Sequence, residues 1–135
     1  MPIVQIHTNL SADALPPEFR VKLVEMFASI FKLSQHSVLV GLSTDERLYG
    51  GVDGSDPLFV MQVIKADGFE DVDENRQTIK ALLGLLIGEM GVPEKSIRII
   101  LLNVPSTRIG ISAGLLTDVI KERQKASGTK QPSQD

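Results

Sequence analysis

Pro2 is the position at which this sequence offers unusual chemistry. Once Met1 is removed, the α-nitrogen of Pro2 is a secondary amine, and the pyrrolidine ring holds it in a fixed direction. An ordinary α-amine titrates at about 7.7–8.0. Burial in an apolar site or neighbouring cations lower that value by disfavouring the charged form, and a general base works best with a pKa near the working pH. A nitrogen tuned in this way can take a proton from a carbon beside a carbonyl and return it elsewhere. On Pro2 alone a plainer reading stands beside this one, in which the proline resists N-terminal processing or simply opens a strand.

The other chemistry-bearing residues point to less. Cysteine is absent, which removes disulfides, thiolate catalysis and Cys-based zinc sites together. His7 and His36 are the only histidines and fall in different elements, too few for zinc; His7 reads as an edge or packing residue. Asp71, Asp73 and Glu74 lack the twelve-residue calcium-loop pattern and suit the start of a helix. Gly110 and Gly114 have no phosphate-loop or dinucleotide spacing and read as a turn. No cofactor and no metal is implied.

The elements that must position Pro2 follow from periodicity. Ile3, Val4 and Ile6 form a β-branched strand, which so close to the N-terminus must be docked in a sheet to stay ordered. After Pro16 and Pro17, the residues Phe19, Leu23, Met26, Phe27 and Ile30 recur at helical steps, predicting an amphipathic helix that ends near Lys32. A second strand follows over residues 37–42. Residues 43–56 are rich in Asp, Gly and Ser and predict a loop or small hairpin around Tyr49. A third strand covers 57–64. The second helix carries Ile79, Leu82, Leu83, Leu86, Ile87 and Met90 on one face and stops at Gly91 and Pro93. Residues 97–102 give a fourth strand, and 103–111 a turn-rich connection.

An internal repeat organises these elements. An offset of 59 residues lays Leu33 over Val92, Ser37 over Ser96, Val38 over Ile97, Leu23 over Leu82, Phe27 over Leu86 and Val4 over Val63. The chain thus reads as two β-α-β units. Because such crossovers are right-handed, they predict an α/β (α+β) fold: a four-stranded mixed sheet with both helices on one face. The strands read as continuously apolar, so the other face should be covered by a second subunit.

At 135 residues, with 42% hydrophobic and 23% charged content, the chain fits one compact domain. A net charge of −3 and 4% aromatic content offer no basic face or stacking platform, which argues against nucleic-acid partners. The first residues lack a secretory signal's basic and apolar regions, so the expected address is cytoplasmic. The apolar run at 82–87 is too short to cross a hydrocarbon layer of about 30 Å, so no membrane span is expected.

Met1-Pro2, the run Ile3-Val4-Gln5-Ile6-His7-Thr8-Asn9-Leu10, Phe19 and Leu23, Gly50-Gly51, Leu82-Leu83-Gly84-Leu85-Leu86 and Ile109-Gly110 together resemble the macrophage migration inhibitory factor (MIF) and D-dopachrome tautomerase family. The resemblance covers about residues 2–112. It implies a homotrimer whose sheets form a barrel, with Pro2 in a pocket between subunits. It further implies keto-enol tautomerisation of aryl 2-keto acids such as phenylpyruvate, with Pro2 as the catalytic base. A cytokine-like role through a cell-surface receptor, reached by secretion without a signal peptide, is implied as well. A member that kept the fold for binding or signalling and lost the reaction is the alternative.

Carrying the family's pocket over gives three substrate-binding candidates. The lysine at the end of the first helix is displaced by one residue and becomes Lys32, with Leu33 at its usual place. The isoleucine after the third strand becomes Lys65. The tyrosine and asparagine that close the pocket from an adjacent subunit become Arg98 and Ile100, which removes an aromatic wall. Lys65 and Arg98 add two cations that, facing the pocket, would lower the pKa of Pro2 and attract a carboxylate, Arg98 in bidentate fashion; ordinary solvated charges are the bland alternative for both. No thiol redox activity carries over, since residues 57–60 stand where the family has a Cys-x-x-Cys motif. Past the family's usual terminus, Ala113, Leu116, Val119, Ile120 and Arg123 predict a C-terminal amphipathic helix over 113–125, capped by Ser112, and residues 126–135 read as a disordered tail.

Overall fold

The structure, a computed structural model, describes residues 2–50 and 56–127, the Met90 side chain excepted. In chain order its elements are β1 (Ile3–Thr8), α1 (Phe19–Phe31), β2 (Leu39–Ser43), β3 (Phe59–Ala66), α2 (Val72–Met90), β4 (Ile97–Val104), β5 (Gly110–Ile111), β6 (Gly114–Leu115) and α3 (Leu116–Ser127). β1 to β4 form one sheet in the order β2-β1-β3-β4, parallel within each β-α-β unit and antiparallel where β1 meets β3. This is the mixed sheet that the repeat predicts.

Alternation along the strands divides the sheet into two faces. Val4, Ile6 and Thr8 of β1 and Phe59, Met61 and Val63 of β3 point to the helical side and are fully buried. They meet Phe19, Leu23 and Phe27 of α1 and Leu82 and Leu86 of α2 in one core. Both helices therefore pack on a single face because each presents one apolar stripe. Lys22 of α1 and Glu89 of α2 join the helices at their rim with a 2.6 Å ion pair.

The uncovered face differs from the expected continuous apolar surface. In register it carries Leu39, Ile3, Ile64 and Leu102 in one row, then Gly41, Gln5, Gln62 and Ile100, then Ser43, His7, Val60 and Arg98. The ends of the first two rows are apolar, while Gln5, Gln62 and His7 put hydrogen-bonding groups in the middle. Leu39 is 59% exposed, so the face remains one that a partner would cover.

Two local expectations shift. Ser112 does not cap the last helix: Ser112 and Ala113 form the turn of a two-stranded hairpin made by β5 and β6, and the helix begins at Leu116. The amide of Leu116 donates to the Ile109 carbonyl at 2.7 Å, and its side chain is buried. α3 runs through Ser127, past the expected start of the tail, and residues 128–135 lie outside the described residues. Of the expected loop at 43–56, residues 44–50 form no strand and 51–55 lie outside the described residues.

Candidate active site

Pro2 stands immediately before β1. Its carbonyl accepts from the Leu39 amide at 3.2 Å, which fastens it to the head of β2. Ile3 pairs with Ile64, so the same antiparallel register carried one residue further sets Pro2 opposite Lys65. By alternation Pro2 shares the helical side with Val4 and Ile6, and its ring is fully buried.

The Thr8-Asn9 pair at the far end of β1 holds the chain rather than a ligand. Asn9 Nδ2 donates to the Asp56 carbonyl at 2.9 Å, and Asn9 Oδ1 accepts from the Leu58 amide at 2.8 Å. These bonds tie β1 to the approach to β3. His7, read from the sequence as an edge or packing residue, pairs through Nδ1 with Glu46 Oε2 at 2.8 Å and so pins the loop after β2.

Lys65 is held in place by aromatic rings. Its ammonium lies 4.7 Å from the centroid of the Phe31 ring and 5.9 Å from that of Phe69, within cation–π range of both. Phe31 in turn stacks on buried Phe27 at 6.0 Å and meets Phe69 edge-on at 5.9 Å. This clamp opens into a cleft of about 420 Å³ between the end of α1 and the first turns of α2, and Lys32 also lines it. The structure thus brings Lys32 and Lys65 to one cleft, with Pro2 beside Lys65 in the sheet but outside the cleft wall.

Lys32 follows α1 with left-handed backbone, φ 54, where the second repeat has Gly91 at φ 66. It closes the helix as a glycine would, with the Leu33 amide donating to the Ala28 carbonyl at 2.9 Å. The displacement by one residue seen in the sequence therefore puts lysine on the capping position itself.

Arg98 is not brought to this site within one protomer. It pairs in register with Val60 on the uncovered face, toward the opposite end of β3 from Lys65. Its guanidinium folds back onto the carbonyls of Lys95 and Ile97, both at 3.0 Å.

Sequence reasoning missed Phe31, Gly68 and Phe69. The Asp67-Gly68 dipeptide was the available signal, because it marks a turn just where the Phe69 ring must swing back over Lys65.

Two β-α-β units about a pseudo-twofold axis, with a proline at the head of the first strand, define a tautomerase-type α+β protomer. The sequence matches the family model for macrophage migration inhibitory factor over residues 1–117, and the chain belongs to the MIF family. It is 24% identical to the MIF-like protein mif-2 of Caenorhabditis elegans over 122 residues, covering 90% of this chain and 100% of that protein. Among solved structures it is similar to MIF from Oncomelania hupensis, at a TM-score of 0.79 and 19% identity, over 95% of this chain and 91% of that one. It is also similar to Pt0534, solved after inactivation by 2-oxo-3-pentynoate, at a TM-score of 0.73 and 20% identity, over 87% of this chain and 97% of that one. At these identities the structural likeness establishes the fold.

Proposed function

We propose that the protein is a keto-enol tautomerase of small 2-keto acids, phenylpyruvate among them, that works as a homotrimer with Pro2 as general base. The observation that carries this reading is the placement of a buried Pro2 opposite Lys65, at the end of the sheet where the cleft of Lys32 and Lys65 opens. Family membership and the inactivation of Pt0534 by a 2-oxo acid support it. In the proposed reaction the free Pro2 nitrogen removes a proton from the carbon beside the keto group and returns it to the other end of the enolate system. The lysines hold the carboxylate.

A neighbouring subunit laid on the uncovered sheet face would complete the homotrimer, with Arg98 at that interface. That face carries the exposed apolar residues Leu39, Ile100 and Leu102, which such packing would bury. Without an aromatic wall from the fourth strand, turnover of bulky aryl substrates should be slow. The test is p-hydroxyphenylpyruvate tautomerisation followed by absorbance, with wild type compared to Pro2→Gly. A wild-type rate equal to buffer would overturn the reading.

One observation favours a second reading, a binding or signalling protein without the reaction: Pro2 forms no part of the cleft that Lys32 and Lys65 line. Under that reading the protein is held in the cytoplasm, exported without a signal peptide and recognised at a cell-surface receptor in the manner of a cytokine.

A further inference from the structure

α2 carries more apolar surface than its own protomer uses. Leu82 and Leu86 close the core, and Gln77 and Thr78 line the cleft shared with α1. On the opposite flank stand Val72, Ile79 and Leu83, at steps that a helix of 3.6 residues per turn brings into one stripe. Val72 is 58% exposed, and the three residues line a shallow groove with Arg76 and Lys80 along one edge. The added length of α2 supplies Val72, since the repeat offset lays it over Asp13, which precedes α1.

This flank looks past the edge of the sheet. α1 packs toward β2 and α2 toward β4, the two edge strands. The stripe lies on the side of α2 away from α1 and so points outward beyond β4, where the next subunit of a ring would stand.

α3 presents a matching face. In its own protomer it is held by β6 and the turn at Ser106–Arg108, with Leu116 buried and Ile120 on the same side. Its other side shows Val119 and Ala126 as a narrow apolar strip, edged by Asp118 and Glu122, with Arg123 at the far margin. Side chains as small as these let a second helix approach closely. No described residue of α3 lines the α2 groove of its own chain.

The charges complement one another. Asp118 and Glu122 lie one helical turn apart, as Arg76 and Lys80 do, and each pair edges an apolar strip. Arg76 already bonds Asp73, and Lys125 approaches Glu122 at 3.9 Å. Both pairs lie within one helix and every side chain in them is at least 72% exposed, so exchanging them for a contact between copies costs little.

We propose that α3 of one copy docks in the α2 groove of its neighbour and straps the subunits of a trimer together outside the sheet. The two strips lie on different helices, so the contact is heterologous, and a threefold axis closes it into a ring. The proposal rests on the trimer of the tautomerase reading but adds a contact that uses neither the uncovered sheet face nor Pro2.

The chain has no cysteine, so site-directed crosslinking reads the contact directly. Ile79→Cys combined with Ala126→Cys in one full chain, treated with a short bismaleimide, should give covalent trimers as the limiting product on a denaturing gel, while each variant alone should stay monomeric there. Asp118→Lys with Glu122→Lys should raise the concentration at which the trimer dissociates in sedimentation by roughly tenfold, and adding Arg76→Glu with Lys80→Glu should restore it. Covalent dimers from Ile79→Cys alone, a crosslink confined to one chain, a ladder running past trimer, or charge reversal without effect would each overturn the proposal. Absence of crosslinks in a chain that sediments as a trimer would overturn this contact and leave the tautomerase reading standing, whereas a chain that sediments as a monomer would remove the trimer and the contact together.

Discussion

Val4 and Val63 face each other across the antiparallel β1–β3 pair, and they are also the residues that the 59-residue repeat makes equivalent. The pseudo-twofold axis therefore passes through this one pair. Around it the two units match to the residue in their second halves. The helices end at Phe31 and Met90, left-handed residues follow at Lys32 and Gly91, and short 3-10 turns follow at Gln35–Ser37 and Glu94–Ser96. The first halves diverge, since α2 is the longer helix by 19 residues to 13.

The axis makes Leu23 and Leu82 counterparts, both fully buried in the shared core. Leu23→Ala and Leu82→Ala should each cost about 2–5 kcal/mol in urea denaturation, the range for a large cavity in a closed core. A cost below about 1 kcal/mol at either would show that its unit does not close around that position.

Lys32 and Gly91 hold the same conformation with opposite side-chain requirements. Lys32→Gly should stabilise the fold by up to about 1 kcal/mol by relieving left-handed strain, and should weaken carboxylate binding. Gly91→Ala should destabilise by about 1 kcal/mol through backbone strain alone, since a Cβ there meets nothing within 4 Å. Chemical denaturation of both variants, with ligand titration of the first, checks the pair.

The Lys22–Glu89 bridge gives a pH signature. Glu89, through its hydrogen bond and then its charge, raises the Lys22 pKa above the ordinary 10.5. A raised pKa favours the protonated folded form, so the contribution is present below pH 10.5 and is lost as pH climbs through the folded value. Both side chains are solvent-accessible, so the effect should be small and reduced by salt. Stability of Lys22→Met should fall slightly below wild type at neutral pH, and the gap should close in alkali. A gap that persists there would assign the difference to packing of the lysine stem.

Catalysis at Pro2 requires its nitrogen to be an amine. With Met1 retained that nitrogen is a tertiary amide and cannot act as a base. An alanine inserted between Met1 and Pro2 should leave the melting temperature nearly unchanged and abolish tautomerase activity, with intact mass confirming the N-terminal residue. Full activity in that variant would move the base elsewhere.

Some of this was legible in residue order alone. Helical spacing in Leu23 and Phe27 and again in Leu82 and Leu86, with β-branched runs on either side, specified two β-α-β units and their offset, because periodicity is written locally. Pro2 and the displaced Lys32 could likewise be singled out from the chain. Only the tertiary structure decided that the axis falls on Val4 and Val63, that Gln5 and Gln62 interrupt the uncovered face, and that Arg98 lies on that face, remote from Pro2. Phe69's left-handed backbone belongs with these, because it depends on bonds from Asn75, Asn103 and Ser106. The clamp on Lys65 joins residues from a helix, a strand and a turn, and no spacing in the chain encodes a meeting between elements that packing alone brings together.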